Sequence, residues 1–393
     1  MLHITVCLFF LLLLQHPPRV FGGFVYTTCK RGFEKLLKQQ VLEAQPDLRF
    51  AFSRPGLLTW KCPDTYDSRE FRRPASVWLA RSAGESLTSQ ALTAADVKLA
   101  ALELKATRGI TKPLRLHCWA REGEEGLSSE HPQLNADRAK RVDDLRRELL
   151  AYSDGLFHID GEVANDGDYV LDVILGEGQE KTFVGAHTHG AACRTRLPNN
   201  FLHLELPSDA PSRAYLKTEE AVVSLQLPVV AGDVAVEIGS SPGGSVLSLL
   251  RRGVTVYGVD PCPSDRTHSP VVLGHKSFRE VKSKLHQLRL SDLPKTADWL
   301  LCDANIGPEE AVPHLSRLAK SLSLRKGLLY TCKLGGPLLA MQPSRVLQYI
   351  ESVAADMASG SGGLFDEADV QPLSLPSHRQ EILLFFPRRK DFL

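Results

Sequence analysis

Residues 234–244 read VAVEIGSSPGG, an apolar run that ends in a carboxylate and a glycine-rich loop. The run is short and rich in valine, which is typical of a buried strand. Glycines allow the backbone to approach a ligand closely, and a helix predicted at 245–252 would direct free N–H groups towards it. The stretch therefore predicts a strand, a ligand-binding loop and a helix at the start of an α/β domain.

Strands and helices continue to alternate after this stretch. Strands are predicted at 255–260, 271–275, 298–303, 327–333 and 381–386, and helices at 278–288, 309–324 and 344–357. This spacing is typical of a Rossmann-like α/β domain with a doubly wound, mostly parallel sheet. Ligands of such sheets bind beyond the carboxyl ends of the strands.

The preceding part of the chain has a different pattern. Residues 24–61 predict the order strand, helix, strand, strand, and a charged helix is predicted at 136–151. Two further strands are predicted at 156–163 and 168–175, and proline-rich stretches at 198–200 and 207–211 resemble a linker. We expect three segments: a targeting-like segment (1–23), an α+β domain (24–205) and the α/β domain (206–393).

The first segment contains an apolar run at 4–14, ITVCLFFLLLL. It is too short to span a bilayer, which takes about 20 residues, and it resembles the apolar part of a signal peptide. No Lys or Arg precedes it, so a buried first helix and a mis-assigned start codon are alternatives. We expect no stable membrane insertion and an organellar destination, a plastid or mitochondrion, with the cytoplasm as the alternative.

Composition excludes several classes of protein. The chain has 43% hydrophobic and 24% charged residues, which is typical of a globular protein rather than a disordered one. Its net charge of +1 provides no global field for nucleic acid, so any RNA must bind through local patches. Eight scattered cysteines without a C-x-x-C pair predict reduced, mostly buried thiols and no structural zinc site. We expect a monomer.

Four charged residues stand at the ends of predicted apolar elements. Asp303 ends ADWLLCD, Lys333 ends GLLYTCK and Glu381 opens EILLFF. Lys217 lies upstream, at the start of a helix. Each alone is more often a solvated strand end. We expect all four to converge on one edge of the parallel sheet, which is much less likely to arise by chance.

The glycine-rich loop favours a nucleotide-type cofactor. Asp260 follows about twenty residues later, at the end of the next predicted strand, where a carboxylate can accept ribose hydroxyls. The loop lacks the G-x-G-x-x-G spacing of a dinucleotide fold, which argues against an NAD-dependent oxidoreductase. A turn aspartate before Pro261 is the alternative reading of Asp260.

Residues 24–387 resemble the FtsJ-type RNA 2′-O-ribose methyltransferases, most closely those that act on a cytidine of large-subunit rRNA. The likeness is carried by DAPSRAYLKTEEA (209–221), EIGSSPGG (237–244) and FVYTTCKRGFEKLL (24–37). It implies S-adenosylmethionine as cofactor, RNA as partner, and ribosomal-fold-associated and THUMP-like modules before the catalytic domain. It also implies a catalytic tetrad (Lys217, Asp303, Lys333 and Glu381), and cofactor-binding residues Glu237, Gly239, Ser241, Pro242, Gly243, Gly244, Asp260 and Asp303.

The chemistry gives the tetrad a physical reason. A ribose 2′-hydroxyl is a poor nucleophile at neutral pH, so transfer requires in-line positioning and removal of one proton. Lys333 can be the base if burial and Lys217 lower its pKa, whereas the neighbouring carboxylates raise it. The sequence leaves this balance open.

Two departures from the family pattern favour an alternative, an RNA-binding protein with an inactive pocket. Ser245 stands where the family commonly has Trp, which removes an apolar contact near the cofactor. The predicted third strand ends at 273–277, LGHKS, without the acid expected to face the adenine. Neither change touches the tetrad.

One further pattern, His187-Thr188-His189 with Cys193, suggests metal ligands. Two histidines at i and i+2 would point to the same side of a strand, but the sequence indicates no further ligand. We interpret the segment as an ordinary polar surface without a metal.

Overall fold

A computed structural model describes residues 23–390 apart from 67, 69–70, 75, 122–131, 152, 178–179, 191–192, 194, 203, 263–266 and 379. The predicted signal-like run at 4–14 lies outside the described residues. The chain divides into two compact units, Met1–Phe201 and Leu202–Leu393. No helix in the described part of the chain is long and apolar enough to cross a membrane.

The N-terminal unit is an α+β domain around a seven-stranded sheet. The elements are β1 Phe24–Thr28, α1 Glu34–Ala44, β2 Arg49–Arg54, β3 Leu57–Lys61, β4 Ala83–Ala91, α2 Ala94–Arg108, β5 Arg115–Ala120, α3 Pro132–Ala151, β6 Tyr169–Leu175 and β7 Thr182–Thr188. Strand order is β2-β3-β1-β4-β7-β6-β5, with only β5 and β6 parallel. A buried core lies between this sheet and helices α2 and α3.

One strand prediction in this unit is wrong. Residues 156–163 form no strand and share only an isolated bridge with the chain near β5. Gly161 has a φ of 120°, a backbone conformation that interrupts a strand. The Arg115 guanidinium donates to Asp160 Oδ1 at 2.5 Å and to the Gly161 carbonyl at 3.0 Å. These groups therefore bond to a buried arginine instead of a neighbouring strand.

The C-terminal unit has the predicted Rossmann-like methyltransferase topology. The elements are α4 Ala214–Ser224, β8 Val234–Ile238, α5 Gly244–Arg251, β9 Thr255–Asp260, α6 Pro270–Leu273, β10 Phe278–Lys282, β11 Trp299–Cys302, α7 Pro308–Ser321, β12 Gly327–Lys333, α8 Gly336–Leu339, α9 Pro343–Gly360, β13 Gln371–Leu373 and β14 Glu381–Pro387. Strand order is β10-β9-β8-β11-β12-β14-β13, parallel from β10 to β12, with β14 and β13 antiparallel.

The third strand of this sheet lies later in the chain than predicted. Residues 271–275 belong to the short helix α6 and its end, and the predicted helix at 278–288 begins with strand β10. Because β10 is an edge strand, most of its side chains are exposed and its sequence, FREVK, lacks an apolar run. The strand thus ends at Lys282, and the segment LGHKS precedes it.

Candidate active site

Glycines shape the loop between β8 and α5. Gly239 has a φ of 81° and Gly243 a φ of 109°, which side chains other than glycine rarely adopt. A Cβ on Gly239 would lie 2.6 Å from Ala304 Cα, and one on Gly244 would lie 2.3 Å from Ser212 Oγ. The loop is therefore held tightly against the carboxyl edge of the sheet, and the chain cannot substitute larger residues there without moving its neighbours.

Asp260 holds this loop from the neighbouring strand. Its Oδ2 accepts from the backbone N–H of Ser241 at 3.3 Å, and its Oδ1 accepts from that of Cys262 at 2.9 Å. A carboxylate has about four acceptor positions, so both oxygens keep a lone pair for a hydroxyl. The carbonyl of Pro242 accepts from the N–H of Ser269 at 3.0 Å, which fixes the other side of the loop.

His268 and Glu280 support the same loop, and the sequence analysis missed both. Ser240 Oγ lies 2.8 Å from His268 Nε2, and His268 Nδ1 lies 2.9 Å from Glu280 Oε1. His268 is buried. A lone histidine between two predicted elements carries no periodic signal, and Glu280 fell within a segment predicted to be helical. Only the tertiary structure places them together.

The four charges of the tetrad form a closed ring. Lys217 Nζ lies 2.9 Å from Asp303 Oδ2 and 2.7 Å from Glu381 Oε2. Lys333 Nζ lies 2.5 Å from Asp303 Oδ1 and 2.7 Å from Glu381 Oε1. Lys333 and Glu381 are direct partners in the β12–β14 ladder, while Asp303 follows β11 and Lys217 lies on α4. Each ammonium thus contacts both carboxylates.

Electrostatics within the ring favour the charged forms. Burial lowers the pKa of Lys333, but Asp303 and Glu381 outweigh it and hold that pKa above its usual value. Burial raises the pKa of Glu381, but Lys217 and Lys333 reduce it to about 2. The carboxylates therefore prevail over the like charge of Lys217, which answers the question that the sequence left open. Lys333 is an ammonium in this arrangement.

Glu237 lies behind the ring, but its environment favours the neutral form of the side chain rather than the charged form. It is 2% exposed, and its Oε2 makes no hydrogen bond to any described residue. Burial raises its pKa to about 8, although a hydrogen bond from Ser245 opposes the rise. Glu237 and Asp303 line one small cavity with Ser245, Thr218 and Lys217. A carboxyl group with spare acceptor capacity therefore adjoins the ring.

Ser245, the departure noted in the sequence, is a buried polar contact. Its Oγ lies 2.6 Å from Thr218 Oγ1 on α4. The hydroxyl therefore joins α5 to α4 beside Glu237 and satisfies a polar group that would otherwise be buried unpaired. The apolar contact that a tryptophan would make is replaced by a hydrogen-bonded one.

Comparisons with known proteins agree with this geometry. Residues 210–343 match the family model of the FtsJ-like methyltransferases. Ribosomal RNA large subunit methyltransferase M of Marinomonas sp. (strain MWYL1) is 31% identical over 29% of this chain and 32% of its own length. The protein of the same name from Laribacter hongkongensis (strain HLHK9) is 36% identical over 27% of this chain and 30% of its own length. These matches span about a third of each relative.

A solved structure of TrmN from Thermus thermophilus aligns with 93% of this chain and 99% of its own, at 15% identity and a TM-score of 0.34. That score is too low to support a functional argument. The likeness to the FtsJ-like methyltransferases is carried by residues 210–343, which lie in the C-terminal unit together with the loop after β8.

Proposed function

We propose that this protein transfers a methyl group from S-adenosylmethionine to a ribose 2′-hydroxyl of RNA, with large-subunit rRNA as the substrate. The observation that supports it most directly is the ring of two ammonium and two carboxylate groups at the carboxyl edge of the sheet. That edge is where parallel α/β sheets bind their ligands.

The residues at this edge fit the cofactor. Gly239, Gly243 and Gly244 let the loop pack tightly against Ala304, Val272 and Ser212, which holds its backbone at the carboxyl edge as a cradle for the cofactor. Asp260 retains acceptor positions for ribose hydroxyls, and Ser241, Pro242, Glu237 and Asp303 complete the predicted set. When bound, S-adenosylmethionine would supply a methyl group that is already activated by its sulfonium charge.

Lys333 would accept the proton that the 2′-hydroxyl must lose. Its raised pKa means that it holds a proton while both carboxylates contact it. A cation placed beside Asp303 competes for that carboxylate and therefore lowers the pKa of Lys333, which is the direction a base requires. Lys217 keeps Asp303 and Glu381 in place, and these two orient Lys333.

RNA is the substrate class because DNA lacks the 2′-hydroxyl. The N-terminal unit would position the RNA as a ribosomal-fold-associated and THUMP-like region. With a net charge of +1, the chain would bind the RNA through local patches and through shape. The likeness of the domain to large-subunit rRNA methyltransferases supports rRNA as the substrate.

Methyl transfer from labelled S-adenosylmethionine to unmodified large-subunit rRNA tests the proposal. Three proteins are compared: the parent, Lys333→Ala and Lys326→Ala, which removes the lysine immediately before the same strand. We expect the parent and Lys326→Ala to place label at an alkali-resistant position, because alkaline cleavage needs a free 2′-hydroxyl. We expect Lys333→Ala to be slower by roughly 10²–10⁴-fold, the range for loss of a general base.

Equal rates for Lys333→Ala and the parent would contradict the role of Lys333. The alternative, an RNA-binding protein with an inactive pocket, is favoured by the replacement at Ser245 and by the lack of an acid immediately after β10, where Ser283 and Lys284 follow. Equilibrium binding of S-adenosylmethionine separates the two functions, since the alternative predicts no binding at all.

A further inference from the structure

A histidine–cysteine cluster (His187, His189 and Cys193) lies at the end of β7 in the N-terminal unit, outside the methyltransferase domain. One ligand atom from each residue, two imidazole nitrogens and a thiol sulfur, lies within 4.8 Å of the other two. His189 is 5% exposed, and most of His187 is also buried. Cys193 is partly buried, so the segment is more enclosed than the ordinary polar surface that the sequence predicts.

A buried carboxylate orients the first histidine. Asp172 on β6 is fully buried, and its Oδ2 accepts from His187 Nδ1 at 2.5 Å and from the Tyr26 hydroxyl at 2.5 Å. Gly185 permits this, since a Cβ there would lie 2.4 Å from the Tyr26 ring. A carboxylate behind one imidazole nitrogen fixes the tautomer and leaves the other nitrogen for a metal.

The second histidine has a nitrogen that the fold leaves unsatisfied. His189 Nδ1 is buried and makes no hydrogen bond to any residue described in the structure. A buried polar atom without a partner destabilises the fold, so such atoms in folded proteins call for a ligand, an ion or a water. Here the unsatisfied atom belongs to a residue whose neighbours are a thiol and another imidazole.

The adjoining cavity has room for an ion and water. Its volume is about 30 Å³, and one water needs about 10–15 Å³. A Cys–His–Asp arrangement can also activate a nucleophile, and the zinc content of the variants separates that role from metal binding. Arg72, Arg73 and Arg81 line the remaining wall, which suits water or a small anion as a further ligand.

We propose that His187, His189 and Cys193 bind one Zn²⁺ ion, with Asp172 as the positioning residue for His187. One thiolate and two imidazoles are ligands that zinc prefers, and three protein ligands leave the fourth tetrahedral position for water or an anion. The ion would tie the segment after β7 to the sheet. This site is independent of the proposed methyl transfer.

Zinc content of the full-length protein tests the proposal. The parent, Cys193→Ser and Cys262→Ser are each equilibrated with Zn²⁺ and desalted. The zinc that remains bound is then measured by elemental mass spectrometry. Cys262 is the matched control, since it also lies beside a histidine and a carboxylate, His268 and Glu280. We expect one zinc per chain in the parent and in Cys262→Ser, and at least tenfold weaker binding in Cys193→Ser.

Three results would overturn the site: no zinc in the parent, full zinc in Cys193→Ser, or loss of zinc only in Cys262→Ser. Asp172→Asn should weaken zinc binding by about 10–100-fold, as loss of a partner behind a metal ligand does. Circular dichroism of each variant shows whether it is folded.

Alkylation of the parent by iodoacetamide provides a measurement that requires no variant. If Cys193 binds zinc, peptide mapping should show slow alkylation with zinc present and fast alkylation after a chelator is added. An equal, fast rate in both conditions would mean a reactive thiolate without a metal and would overturn the proposal.

Discussion

The two ends of the C-terminal sheet both carry buried or half-buried charges, but they use them differently. At the amino end, Lys326 Nζ lies 2.7 Å from Asp233 Oδ2 and donates to the Pro228 carbonyl at 2.7 Å. The Trp299 indole donates to the same carboxylate at 2.9 Å. At the carboxyl end, the described contacts of the tetrad side chains are to one another.

This difference distinguishes a structural network from the proposed catalytic one. Asp233 and Lys326 bond to backbone and to an indole, groups that a ligand cannot displace without disturbing the fold. The tetrad pairs only movable side chains beside a glycine-rich loop, so a ligand can replace one of its contacts. Charge pairing by itself therefore indicates nothing about function, whereas the kind of partner does.

The largest expected effect comes from removing one carboxylate at each end. Glu381→Gln keeps the shape of the side chain but removes the charge that holds both lysines. We expect methyl transfer to fall by roughly 10²-fold or more. Asp233→Asn should leave the rate within a few-fold of the parent. Initial rates with the same rRNA decide, and similar losses in the two variants would remove the distinction between the ends.

A smaller effect should follow from adding a methyl group to the glycine at each end of β8. Gly239→Ala places a Cβ against Ala304 and strains a backbone with a φ of 81°, so we expect at least about tenfold weaker binding of S-adenosylmethionine. Gly232 has a φ of 92°, but a Cβ added there would lie in open space. Gly232→Ala should bind the cofactor like the parent at some loss of stability. Titration calorimetry measures both, and unchanged binding in Gly239→Ala would contradict the proposed cradle.

The smallest expected effect is a pH dependence of stability. Burial raises the pKa of Glu237 in the folded protein to about 8, above its usual value of 4.5. Between these values the unfolded chain ionises first, so the parent loses stability as pH rises from about 5 to 8. Glu237→Gln should avoid this loss, and its free energy of unfolding relative to the parent should grow by up to about 1.4 kcal/mol per pH unit.

Asp233→Asn is the control for this measurement. The pKa of Asp233 is lowered, because hydrogen bonds from Lys326 and Trp299 outweigh its burial. The stability that it contributes is present above its unfolded pKa and is lost only as pH falls below it. Denaturant unfolding should therefore give a constant difference between Asp233→Asn and the parent from pH 5 to 8. A constant difference for Glu237→Gln as well would show that Glu237 is ionised in the folded protein.

Strand ends were the most informative feature of the sequence. The predicted strand at 327–333 has the same bounds in the structure, and Lys333 stands at its end. An apolar strand that ends in a charge is visible without coordinates because the charge interrupts the pattern. The prediction misplaced edge strand β10, because a strand with mostly exposed residues has no apolar run for a charge to interrupt.

The cluster at His187 shows the limit of this approach. The sequence contains His187, His189 and Cys193 close together, but Asp172 lies on the preceding strand β6 and Tyr26 on β1, far away in the chain. Register within the sheet brings them together. The sequence alone could not indicate that His189 is buried with an unsatisfied nitrogen, which is what supports the proposed metal.

The sequence by itself determined the class of the C-terminal fold, the glycine loop and the four charges, because periodicity and interruption of apolar runs are local properties. Only the tertiary structure decided how the charges pair and which protonation states they favour. Those depend on distances of a few ångströms between residues far apart in the chain. The raised pKa of Lys333, the raised pKa of Glu237 and the enclosed histidine–cysteine cluster all belong to this second kind.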